Sequence, residues 1–270
     1  EANALPGAPF AENSALALVG PGNNGGDALV ALENLAEQGW QVAAYLLEER
    51  DDEYLRRVRA LDGHGVLAGE DKDFFELGRL LGEHDWLLDG LLGTGISLPL
   101  RKNAASLLTH IAEQLDQIGE RPYIVAVDCP SGLDADSGQL APETLRADLT
   151  VSMAAVKRGM LTLPAFDYLG QLDIGSIGLS ENLAEWAAIQ RTVVDASMVS
   201  EALPPRTRDA HKGSFGRALI MAGSRRYPGA ALLAGEAAYV SGAGLVDVAV
   251  PASLLEMMAG QMTEAIWQGQ

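Results

Sequence analysis

Three separated stretches carry the side chains best suited to chemistry: Gly22-Asn23-Asn24-Gly25-Gly26-Asp27, the run DGLLGTGISLP from Asp89 to Pro99, and Asp128-Cys129-Pro130-Ser131-Gly132. Glycines in the first let backbone amides approach a ligand closely. The helical pattern that follows would set that ligand at a helix N-terminus, which favours anions such as phosphate. The same residues also fit an ordinary strand-to-helix turn, with Asn and Asp as turn formers and cap. Neither the Gly-x-Gly-x-x-Gly dinucleotide fingerprint nor a Gly-Lys-Ser/Thr phosphate loop is present, which counts against a generic dinucleotide oxidoreductase. Asp89 could ligate a cation or accept hydrogen bonds from its own loop. Asp128 is placed for general acid–base work if its surroundings tune it, and Pro130 stiffens the turn before Ser131. Amide, carboxylate and hydroxyl oxygens of Asn24, Asp89 and Ser131 make a donor set for a hard cation, and composition leaves the ion open. His64, His84, His110 and His211 lack metal-ligand spacing, which argues against zinc. Nothing sequence-adjacent would activate the Cys129 thiolate, so it reads as a packing residue.

Each stretch follows a short apolar run. Residues 14–20, 41–47, 85–90, 123–128 and 148–153 read as strands, and 27–38, 53–65 and 105–119 as helices. Such alternation implies right-handed crossovers and an α/β fold, Rossmann-like, with a mostly parallel sheet between two helical layers. In an open parallel sheet the strand C-termini share one edge, so the three stretches should converge on a single cleft. The segment 201–216, with Pro204-Pro205 and polar flanks, marks a boundary. Beyond it, a strand (217–224), a small-residue helix (229–244) and a strand (245–251) open a second α/β unit, too short to be a complete domain of its type. The expected organisation is a domain over 1–200, a linker over 201–212, and an incomplete domain over 213–270.

The formal net charge of −18 is uneven: residues 1–200 hold 13 Lys+Arg against 31 Asp+Glu, and residues 201–270 hold 6 against 6. So acidic a surface excludes nucleic acid and anionic membrane as partners. A single cysteine excludes an intrachain disulfide and fits a reducing cytoplasm. No apolar run reaches the ~18 residues of a spanning helix, and the chain opens on Glu1 without the layout of a signal peptide.

Together, GPGNNGGD (20–27), DGLLGTG (89–95) and DCPSGLDADSG (128–138) resemble the YjeF N-terminal domain, the NAD(P)H-hydrate epimerase family, over residues 14 to about 180. Residues 211–251 resemble the start of the ribokinase-like, ADP/ATP-dependent NAD(P)H-hydrate dehydratases, an order that fits a bifunctional repair enzyme. The resemblance implies that Asn23, Asn24, Gly25, Gly26 and Asp27 form a substrate-binding loop, with Asp27 anchoring the helix start. Gly93, Thr94, Gly95, Ile96, Ser97, Leu98 and Pro99 would embrace the substrate's phosphates, and Asp128 would contact the substrate as the catalytic acid. Asn24, Asp89 and Ser131 would bind potassium. Gly229 and Ala230 match an early substrate-binding turn of the dehydratase, whose nucleotide would be ADP or ATP. The resemblance further implies NAD(P)HX as substrate and a homo-oligomer, at least a dimer. Ala28 and Leu32 depart mildly from the family's common Gly and Arg. The family's N-terminal helical segment is expected before Glu1, and the dehydratase's later Gly-rich, Asp-bearing motif beyond Gln270. A non-catalytic ligand-binding module of the same fold is the alternative, which the joint presence of Asp128, Asn24, Asp89 and Ser131 disfavours.

Overall fold

The computed structural model describes residues 13–180, 183–189 and 191–270. The chain divides into two compact units, Glu1–Trp186 and Ala187–Gln270. This division falls ahead of the 201–212 segment at which the sequence places a linker.

Seven strands build the sheet of the first unit: β1 (Ser14–Val19), β2 (Gln41–Leu46), β3 (His64–Leu67), β4 (Trp86–Gly90), β5 (Tyr123–Val127), β6 (Leu149–Met153) and β7 (Gln171–Gly175). All pair in parallel, in the order β3-β2-β1-β4-β5-β6-β7. Strand order reverses between β1 and β4, and a crevice opens at such a point beyond the strand C-termini. The register sets Leu18 beside Asp89 and Asp89 beside Ala126, so loops leaving β1, β4 and β5 start level with one another.

Side chains alternate along each strand, and each set needs its own cover. Leu16 and Leu18 of β1, Tyr45 of β2, Leu87 of β4 and Ile124 of β5 pack against two helices, α3 (Phe75–Glu83) through Leu77, Leu80 and Leu81 and α4 (Lys102–Leu115) through Leu107, Leu108 and Ile111. On the opposite face Ala15, Ala17 and Val19 meet Ala28, Leu29 and Leu32 of α1 (Asn23–Glu37), with Leu55 and Val58 of α2 (Glu53–Ala60) alongside. Three layers result. β3, β7 and α3 are additions to the elements expected from sequence. The 53–65 pattern ends as a helix at Ala60, because Asp62 takes a φ of +61° and the chain then enters β3.

A short helix, α5 (Ala184–Ala187), falls at the division, and the second unit holds α6 (Ala196–Ala202), β8 (Arg217–Met221), α7 (Gly229–Val240), β9 (Leu245–Val250), α8 (Leu255–Ala259) and β10 (Ile266–Gly269). Its three strands are parallel, ordered β10-β9-β8, over a core of Ala231, Val246, Val248, Val250, Leu254, Met258 and Met262. Among the described residues, no helix is long and apolar enough to cross a membrane.

Candidate active site

The opening of α1 is tight by necessity. The helix begins at Asn23, four residues ahead of the expected start at Asp27, with Gly22 as an N-cap that supplies no side-chain bond. A Cβ on Gly25 would stand 2.1 Å from the Gly20 carbonyl oxygen, and one on Gly20 would stand 1.7 Å from that of Leu91. Only glycine lets β1's exit, the helix and the β4 loop come this close. Arg50, just beyond β2, clamps the turn: its Nη1 donates to the carbonyls of Gly20 (2.5 Å) and Gly22 (2.9 Å), while Nε donates to Asp52 (2.8 Å). Asp52 in turn caps α2 by accepting from Leu55 N–H.

Leu92 ties the three loops together. Its carbonyl accepts from Asn24 Nδ2 (2.9 Å), and its N–H donates to Ser131 Oγ (2.8 Å). Asp89, 1% exposed, accepts from the Ser131 N–H (2.8 Å) and the Ser131 hydroxyl (2.5 Å). Burial raises its pKa against these hydrogen bonds. Among the described residues no basic side chain pairs with Asp89, and Asn24 Oδ1 accepts no hydrogen bond. A buried carboxylate calls for a counter-charge or a proton. The oxygens of Asn24, Asp89 and Ser131 therefore fit a hard cation.

A cavity of about 410 Å³ opens beside this knot, lined by Asn23, Asn24 and Asp27 from α1, the β4 loop from Leu91 to Ile96, and Asp128. Asp128 sits at φ +67°, in the left-handed region where Asp and Asn are enriched. Its Oδ1 accepts from Met153 N–H (2.9 Å) and pairs with Lys157 Nζ, which also donates to Ser152 Oγ (3.1 Å) and the Met153 carbonyl (3.0 Å). Ala154, next in this loop, holds φ +64°, a conformation that costs a non-glycine residue on the order of 1–3 kcal/mol and so marks a constrained site. A second cavity of about 280 Å³ is lined in part by Gly95, Ile96, Ser97, Pro99 and Arg101.

Of the residues proposed from sequence, Asn23, Asn24, Asp27, Gly93, Thr94, Gly95, Ile96 and Asp128 line the first cavity, and Ser97 and Pro99 the second. Leu98 lies in the same loop but lines neither. Gly25 and Gly26 shape α1 rather than the cavity wall. Ala230 belongs to the second unit, where it is exposed at the start of α7. Asp27 does not anchor the helix start: it lies in the second turn, half-buried, and its carboxylate has no hydrogen-bond partner among the described residues. Cys129 is fully buried in a satellite core with Leu133, Met160, Ala165 and Leu169, and burial pushes its thiol up to about 12. Sequence reasoning missed Arg50 and Lys157. Both follow strand ends, β2 and β6, so the rule that pointed to the other three loops applied equally to theirs.

Residues 4–159 match the family described as YjeF-related protein N-terminus. The chain belongs to that family. Residues 218–269 match a second family, described as NAD(P)H-hydrate dehydratase. A bifunctional NAD(P)H-hydrate repair enzyme from Coxiella burnetii is 34% identical over 245 residues, covering 91% of this chain and 49% of that protein. Its namesake from Thermofilum pendens is 33% identical over 262 residues, covering 94% of this chain and 48% of its own. The YjeF-family chain thus spans about half the length of the curated relatives it matches. The crystal structure of yeast ynu0 aligns at a TM-score of 0.48 and 20% identity, covering 63% of this chain and 70% of that one.

Proposed function

We propose that the first unit is an NAD(P)H-hydrate epimerase, interconverting the R and S hydrates of NADH or NADPH at C6 of the nicotinamide ring. The observation that carries this reading is the bonding of Asn24 and Ser131 to Leu92, with Ser131 in turn bonded to the buried Asp89, beside a cavity lined in part by Asp128. C6 bears a hydroxyl and adjoins the ring nitrogen. Loss of the hydroxyl with its electron pair, pushed by the nitrogen lone pair, gives a planar cation, and water adding to the other face gives the epimer. Asp128, oriented by Met153 N–H and Lys157, exchanges the proton these steps require. The Gly93–Pro99 loop, with Arg101 nearby in the second cavity, suits the phosphates. Potassium held by Asn24, Asp89 and Ser131 would neutralise the buried carboxylate and fix the register of the three loops.

In a protein of the relatives' length, the segment around β8, α7 and β9 would belong to a dehydratase that returns S-NAD(P)HX to NAD(P)H with ADP or ATP, Ala230 lying on its substrate turn. A cytoplasmic location and an assembly of at least two copies complete the reading. Its test is chromatographic: purified R-NADPHX is incubated with the intact protein in potassium or in choline buffer. Conversion to the S form that requires potassium supports the proposal. Binding without conversion in either buffer would make the unit a ligand-binding module instead.

A further inference from the structure

Epimerisation by departure and return of water poses a geometric problem: hydroxyl leaves one face of the ring and water arrives at the other. One carboxylate on one wall serves only one face. Reactions in which water inverts a C–O centre elsewhere keep two carboxyl groups roughly 6.5–9.5 Å apart, so that water fits between. Two carboxylates line this cavity. Asp128 stands just past the end of β5 and Asp27 on α1 beyond the end of β1, and both line the cavity together with the β4 loop. Asp27 lines the same cavity, yet it neither caps its helix nor bonds to any described group.

Resting on the epimerase reading, we propose that Asp27 is the second acid–base residue of this site, serving the ring face opposite to the one served by Asp128. In one direction Asp27 protonates the departing hydroxyl, which leaves as water. The ring-nitrogen pair forms C=N as the C6–O bond breaks. Asp128 then takes a proton from water adding at the other face, a new C6–O bond forms, and the nitrogen regains its pair. One proton has been given and one taken. The pair ends the turnover with its proton on the other member and is reset by solvent or by the reverse reaction. The surroundings suit this division. Burial first, and the Asp128 charge second, raise the pKa of Asp27 and favour its proton-carrying form, whereas Asp128 has Lys157 as counter-ion. The other charged or titratable groups at this end of α1 are Arg50, engaged by Asp52 and two carbonyls, and Tyr54, both packed near Gly26.

The test follows epimerisation and oxygen exchange together, using each epimer of NADPHX in H₂¹⁸O with the intact wild type, Asp27→Asn and Asp128→Asn. Asparagine keeps the shape at both sites and tolerates the positive φ at 128, and circular dichroism verifies the folds. With two carboxylates, each variant loses epimerisation by at least about 10²-fold. Each still exchanges ¹⁸O into one epimer with retention, Asp27→Asn into one and Asp128→Asn into the other. If Asp27→Asn epimerises within about twofold of wild type while Asp128→Asn loses both reactions, the inference falls and the epimerase reading stands. A wild type that neither epimerises nor exchanges oxygen overturns that reading and the inference with it.

Discussion

Lys157 gives the Asp128 carboxylate its charge partner and, through Ser152 Oγ and the Met153 carbonyl, its position. Lys157→Met removes the cation while leaving a chain of similar length over the same surface. It should lower kcat by on the order of 10²-fold, the usual weight of a positioned acid–base group, with KM changed only a few-fold. Steady-state kinetics on NADPHX separates the two, and a variant whose KM alone moves would make Lys157 a binding residue. At this scale much was legible. Asn24, Asp89, Asp128 and Ser131 stand out because glycine and proline punctuate their loops, and such punctuation is a local property. Lys157 closes the run SMAAVK, which has no glycine or proline, and its importance comes from a left-handed turn at Ala154 that only the fold imposes. The resemblance and a helix expected from residue 27 put Asp27 at the helix start; α1 begins at Asn23 instead, which sets Asp27 in the second turn.

Among the elements, the exits of β1 and β2 are coupled through Arg50 and Asp52. Burial works against an ionised Asp52, but the Leu55 N–H and the Arg50 guanidinium outweigh it and hold the carboxyl below its ordinary range. A carboxyl lowered in the fold contributes stability in full above its unfolded pKa of about 3.9, and that contribution is lost as pH falls below this value and through the lower pKa of the folded state. Asp52→Ala should therefore cost about 1 kcal/mol at pH 7, chiefly the cap of α2. The gap in Tm from wild type should narrow as pH falls through about 4. A gap independent of pH would show that packing, not charge, carries the effect. The central strands β1, β4 and β5 were readable because both their faces are buried and each carries a run of apolar residues, LAL, WLL and YIVAV among them. β3 and β7 escaped because they are the sheet's edges, half-exposed and built from HGVL and QLDIG, which carry no such run. β10 escaped for the same reason in the smaller sheet.

On the proposed reading, this strongly acidic chain has to take up an anionic dinucleotide. With a net charge of −18, its long-range field repels the substrate, and salt screens that field over about 10 Å at 0.1 M. kcat/KM for NADPHX should therefore rise a few-fold as choline chloride is raised from about 10 to 150 mM at fixed potassium. A fall would mean that the local field of Arg50 and Arg101 governs encounter. The charge imbalance and the doubly wound order both follow from properties spread along the chain, which is why the three-layer architecture could be anticipated. The division ahead of Ala187 could not, because it depends on which segments pack together and not on where the prolines fall. The central claim is that loops remote in sequence enclose one cation next to the substrate cavity. Diffraction from crystals grown in rubidium chloride, with rubidium standing in for potassium as an anomalous scatterer, tests it most directly. The account predicts one strong anomalous peak in contact with Asn24 Oδ1, the Asp89 carboxylate and Ser131 Oγ. A map without density there at saturating rubidium would contradict it.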